Sequence, residues 1–144
     1  MRAVRDFSEF IAEGIVKKQS PDKSRAEFLI RSSQNSYLFL QEMIKKININ
    51  DNNANDYIKS CYDILMELIR ARMLLLGYNA SGQGAHEAEV SFLRMMEFKE
   101  KEVVFLDQLR YFRNGMLYYG TTLDKEYADK VIKFTEKLYL KLKA

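Results

Sequence analysis

Arg113 sits where a charge needs a reason. Projected at about 100° per residue, Phe105, Leu106, Leu109, Phe112, Met116 and Leu117 form one broad apolar arc, and Arg113 falls inside it. A guanidinium buried there without a partner is strongly unfavourable, so it must meet a carboxylate, a watered cavity or a seam between subunits. The default is a structural ion pair, with Asp63, Glu67 or an acid of the last helix as partner. The opposite side of the same segment carries Asp107, Tyr111, Asn114 and Tyr118, spaced four, three and four residues apart, which lines up their polar groups. Tyr111 and Tyr118 read by default as a partly buried helix face whose phenol oxygens find hydrogen bonds. Arg72 poses the Arg113 question again, projecting among Leu65, Leu68 and Leu76, and a structural pair is again the default.

His86, the single histidine, follows a glycine-containing loop. It either swings toward the Arg113 region or packs over the bundle end as a helix-start residue, and the second is the default. Glu87 and Glu89 cannot both join it on one helix face, so no metal site is expected. No cofactor is expected either. The loop from Gly77 to Gly84 lacks the lysine and the preceding strand of a phosphate loop. Cys61 lies at helical spacing from Tyr57, Ile64 and Leu68 and reads as a core residue.

Helices must position these groups, because apolar residues recur at three- and four-residue steps nearly everywhere and no segment alternates like a strand. A first helix carries Phe7, Phe10, Ile11 and Ile15. A second opens with Ser20 as N-cap and Pro21 at the first helical position and runs to about residue 46. The Asn/Asp-rich stretch 48–56 is a loop, since short polar side chains compete with helical hydrogen bonds. The third helix shows Tyr57, Cys61, Ile64, Leu68, Ala71 and Leu75 on one face and stops at Gly77. A flexible linker over 78–84 and a short helix with Ala88, Phe92 and Met95 follow. Another helix spans about 100–119 and ends at Gly120. The last, capped by Thr122 or Asp124, carries the stripe Tyr127, Val131, Phe134, Leu138 and Leu142. The expected fold is all-α, an up-and-down bundle of five to six helices in one domain over 1–144.

Composition agrees. With 47% hydrophobic and 30% charged residues in a 144-residue chain, one globular core is expected. Twenty-three basic and 20 acidic residues, net +3, are interspersed along the chain and lack the concentrated field of a duplex-DNA binder. A lone cysteine, an N-terminus without a secretory apolar stretch and no run long enough to span a bilayer predict a cytoplasmic protein off the membrane.

The run Arg113-Asn114-Gly115-Met116-Leu117-Tyr118 resembles, in position, the Arg-Asn…His motif of the HEPN superfamily. The preceding helix from Tyr62 to Gly77, followed by Gly84-Ala-His-Glu-Ala, is similar to the helix, glycine stop and His-bearing loop of archaeal and bacterial members. The ending Tyr118-Tyr-Gly120 looks like a subgroup with Tyr-Tyr-Gly in place of the histidine, and the likeness covers 54–144. It implies a HEPN-like four-helix core that pairs into a two-fold homodimer, with both motifs facing a shared cleft. It implies an RNA or nucleotide ligand, or a small nucleotidyltransferase as partner protein. Arg113 would steady phosphate charge, Asn114 would orient, and Tyr118 would take the histidine's place. Arg110, Tyr111, Tyr119, His86 and Arg72 would line the ligand site. A phenol ordinarily titrates near about 10 and an imidazole near about 6.5. The replacement therefore favours a binding module over the alternative, a metal-independent ribonuclease.

Overall fold

The computed structural model describes residues 3–143. The all-α expectation holds: the helices are α1 (Phe7–Ala12), α2 (Lys23–Lys46), α3 (Ala54–Leu75), α4 (Ala85–Ser91), α5 (Glu100–Tyr118) and α6 (Lys125–Lys143). A short 3-10 turn, Phe92–Met96, continues α4. No helix of the described residues is long and apolar enough to cross a membrane.

α3 is the axis. Ile58, Cys61, Ile64, Leu65, Leu68, Ile69, Met73 and Leu74 are all essentially inaccessible. These positions run round most of its circumference, so other elements must cover it on several sides. α2 and α6 flank it along its length, and α4 and α5 close a third side. The α6 stripe docks through Val131, Leu138 and Leu142, with Tyr127 and Phe134 only half-buried. Tyr139 stacks on Tyr37 of α2 at 3.7 Å. Cys61 is a core residue, as its spacing suggested, and burial pushes its thiol up to about 12, an inert state.

Several boundaries differ from expectation, each for a tertiary reason. Two strands exist: β1 (Val16–Lys18) pairs antiparallel with β2 (Tyr78–Ala80). At three residues each they are too short to show alternation, and the supposed flexible linker is in part this sheet. Ile15 lies outside α1, which ends at Ala12; Gly14, at φ 77, turns the chain back so that the Ile15 amide donates to the Phe10 carbonyl. The Ser20 N-cap with Pro21 at the first position does not form. The Gln19 amide donates to Gly77 and the Asp22 amide to Leu74, which holds the chain extended past Pro21. Asp22 then caps α2, its carboxylate accepting from the Arg25 amide at 3.1 Å. α3 begins at Ala54, inside the expected loop, whose Asn50 and Asn53 side chains accept from backbone amides of the same stretch. Met95 falls in the 3-10 turn and is 52% exposed. Of the two candidates for the α6 cap, Asp124 serves, accepting from the Tyr127 amide at 2.8 Å.

Gly77 joins the sheet to α3 at φ 83, and a Cβ there would stand 2.5 Å from the Gln19 carbonyl oxygen. Gly77→Ala combines a left-handed backbone with a backbone clash, so urea denaturation should show a loss of about 2–4 kcal/mol. Gly82→Ala, also at positive φ (79) but with nothing within 4 Å, should lose less.

Candidate functional site

α5 sets Arg113 as its periodicity implies. The buried arc of α5 comprises Glu102, Val103, Leu106, Asp107 and Leu109, and Arg113 continues it one turn on, with its side chain 24% exposed. Its Nε is enclosed and has no hydrogen-bond acceptor among the described residues. Among the expected partners, Asp63, Glu67 or an acid of the last helix, the one it meets is Asp63, whose Oδ1 lies 3.8 Å from Nε, too far for a hydrogen bond.

The surroundings are more tightly bonded. From α3, Arg70 donates through Nε (2.6 Å) and Nη2 (3.1 Å) to the two oxygens of Glu89 on α4, a bidentate pair whose carboxylate is 2% exposed. His86 Nδ1 lies 3.0 Å from Glu89 Oε1, which puts the proton on Nδ1. Burial pushes the Glu89 carboxyl up, but hydrogen bonds from His86 and Arg70 and the two charges outweigh it and hold the group below its ordinary value. Arg110 donates to Asp107 within α5 at 2.7 Å. Beneath them Tyr62 is buried, and that burial, then Glu89, drives its phenol well above the ordinary range against Arg110. Asp63 is raised as well: burial lifts it, and Arg113, Arg70, His86 and Lys59 pull it down without cancelling the effect.

Three candidates thus converge. Arg113, Arg110 and His86 share one polar seam with Tyr62, Asp63, Arg70, Glu89 and Asp107, where α3, α4 and α5 meet. The others lie elsewhere. Asn114 is exposed, as are Tyr111 (58%), Tyr118 (71%) and Tyr119 (85%). The expected alignment of Asp107 with Tyr111, Asn114 and Tyr118 fails, because Asp107 is 4% exposed and turns inward beside Arg110. Tyr111 and Tyr118 are more open than a partly buried face. Leu117 does not complete the apolar arc; it is 61% exposed. Arg72 belongs to another region: its Nε donates to the Leu142 carbonyl at the end of α6, and Leu76 beside it is 62% exposed. His86 is the second residue of α4, with its side chain 61% exposed, and is pinned by Glu89, while Glu87 turns toward Arg5.

The end of α5 is held by residues whose role the sequence did not announce. Asn55, near the start of α3, donates to the Thr121 carbonyl at 2.8 Å and accepts from the Leu123 amide at 2.9 Å. Gly115 lets this loop close, since a Cβ there would stand 2.5 Å from Thr121 Oγ1. The Asn-Gly step of the motif therefore has a packing reason on its glycine side. Arg70, Glu89, Tyr62 and Asn55 were missed as site residues. The Arg70–Glu89 pair spans 19 residues and two helices, and no local spacing signals it.

Stability should follow Glu89 in acid. Unfolded glutamates titrate near about 4.3. Above that pH the cluster's preference for the charged form is fully expressed. As pH falls toward the lower native value the unfolded chain takes up the proton first, so stability is lost. Glu89→Gln should flatten this acid limb. It should also lower stability near neutrality by about 3 kcal/mol, because Arg70 loses its partner. Urea unfolding at near-neutral and acidic pH reads both effects.

No protein-family model, curated protein or solved structure matches this chain, so the chemistry of this seam has to be read from its own residues.

Proposed function

We propose that the chain is a HEPN-like binding module that takes a phosphate-bearing ligand, RNA or nucleotide, at the seam around Arg113. The observation that supports this reading is the contrast among its arginines. Arg70, Arg94 and Arg110 each hold a carboxylate at 2.6–2.8 Å, and Arg5, whose Nε is also enclosed and unbonded, still holds Glu13 at 2.8 Å, whereas Arg113 stands 3.8 Å from Asp63. A phosphate reaching the exposed part of this side chain would take the place of the loosely held Asp63, whose carboxyl is raised by burial. Exposed Tyr111, Tyr118 and Tyr119 along and beyond α5 offer flat faces on which bases stack.

Binding is favoured over cleavage. Tyr118 lies five residues beyond Arg113, about 140° round the helix, and Asn114 is turned outward with it. Within one protomer the three motif residues do not converge on a reacting atom. A second copy related by a two-fold axis would bring another Arg113 to the seam and cover the exposed Leu117 and Tyr118, giving the composite cleft that the HEPN resemblance implies. A cytoplasmic setting suits such a ligand, and a small nucleotidyltransferase is the protein partner we would seek by co-purification.

Anisotropy of a fluorescent oligoribonucleotide tests the reading. Arg113→Ala should weaken binding about tenfold or more, the worth of one charge-assisted contact. Asp63→Asn should tighten it about two- to fivefold, because a competing surface charge is removed. Equal affinity of wild type and Arg113→Ala would sink the proposal. Mixed RNA incubated with wild type and with Arg113→Ala should stay intact in both; Arg113-dependent degradation would favour the nuclease instead.

A further inference from the structure

The outer face of α2 carries a stripe that neither the fold nor the seam uses. α2 buries Ala26, Leu29, Ser33, Tyr37 and Leu40. Away from them stand Phe28, 65% exposed, and Phe39, 67% exposed, eleven residues apart and so on nearly the same side of the helix. Between the rings lie Arg31, Ser32, Asn35 and Ser36, which with Phe28 line a shallow depression of about 390 Å³. Arg25 and Glu42, both exposed, flank the rings on the same side. Glu42 pairs with an exposed lysine of its own helix, Lys46, at 3.1 Å.

This stripe is complementary to itself. Turned end for end about a point midway between Ser33 and Gln34, Phe28 exchanges with Phe39, Arg25 with Glu42, Ser32 with Asn35, and Arg31 with Ser36. A two-fold axis through that point lays α2 antiparallel on its copy. Each ring then meets a ring, each arginine of the two end pairs meets a glutamate, and hydroxyl meets amide at the centre. The small central side chains let the axes approach closely, as ridge-and-groove packing requires. A ligand or unrelated partner would have no reason to match this end-to-end exchange of charge; a second copy matches it by construction.

We propose that α2 is a homotypic docking surface for a second copy of this chain, through antiparallel contact of Phe28 with Phe39 and Arg25 with Glu42. The proposal is independent of the Arg113 reading, and none of its residues belongs to that seam. At about 1.5 Å per residue α2 is about 36 Å long. A single helix pair of that length falls at the low end of the roughly 1,200–2,000 Å² that stable interfaces bury. The association is therefore reversible and concentration-dependent.

The test uses the full chain carrying Leu117→Asp and Tyr118→Asp, two exposed positions, so that pairing through α5 contributes nothing. Sedimentation or light scattering across the micromolar range should show a monomer–dimer equilibrium, abolished by Phe39→Glu with the helical circular dichroism unchanged. Arg25→Glu and Glu42→Arg alone should each weaken dimerisation about tenfold, and the combined swap should restore it. Ser32→Cys/Asn35→Cys should form a covalent dimer under mild oxidation, and Gln34→Cys should not. A background variant monomeric throughout, a Phe39→Glu variant that associates as before, a swap no better than its single changes, or cross-linking through Gln34→Cys as readily would each overturn the proposal.

Discussion

Covering α3 on several sides dictates where this protein can keep its charges. A helix whose apolar positions run round most of its surface leaves polar side chains only the seams between the elements packed on it, where Asp63 and Arg70 emerge. In a seam a charge is partly desolvated and must be matched, because a lone buried ion is far more unfavourable than a lone surface one. Hence the density of ion pairs where α3, α4 and α5 meet, and the sparse polar content of the α3–α6 contact, whose buried polar groups include the small Thr135, bonded to Val131.

Within that seam the matching is uneven, and the unevenness carries the functional reading. Glu89 is fully engaged by Arg70 and His86 and held in its charged form. It stabilises the junction of α3 with α4 and leaves little capacity for a ligand. Arg113 is the reverse case: enclosed at Nε and loosely faced by an acid that is itself half in water. This one unsatisfied donor in an otherwise matched seam is what the proposed phosphate site rests on. The Asn55 hydrogen bonds and the Gly115 close approach tie the turn after α5 to the start of α3.

Much of this is legible in the sequence. Arg113 inside an apolar arc follows from the helical period alone, and Asp63 is one of the two acids expected as its partner, besides an acid of the last helix. Cys61 as core, the α3 and α6 stripes and Asp124 as a cap candidate were equally local in origin. The misses share a cause. The Ser20-Pro21 start was good capping chemistry, overruled because Gln19 and Asp22 bond to the far end of α3. Asp107 belonged by spacing with the tyrosines, yet Arg110 and the packing of α5 draw it inward. Arg72 met the same projection criterion as Arg113 and proved to serve the end of α6.

The sequence by itself determined that the chain is helical, roughly where the long helices run and where a cation is out of place among apolar neighbours, because these depend on periodicities of three to four residues that the chain carries locally. Only the tertiary structure decided which charges meet. Arg70 with Glu89, Arg113 with Asp63, Asn55 with the turn after α5 and β1 with β2 are pairings of residues far apart in the chain. Their partners are set by how the helices pack around α3, and no spacing along a single helix encodes that.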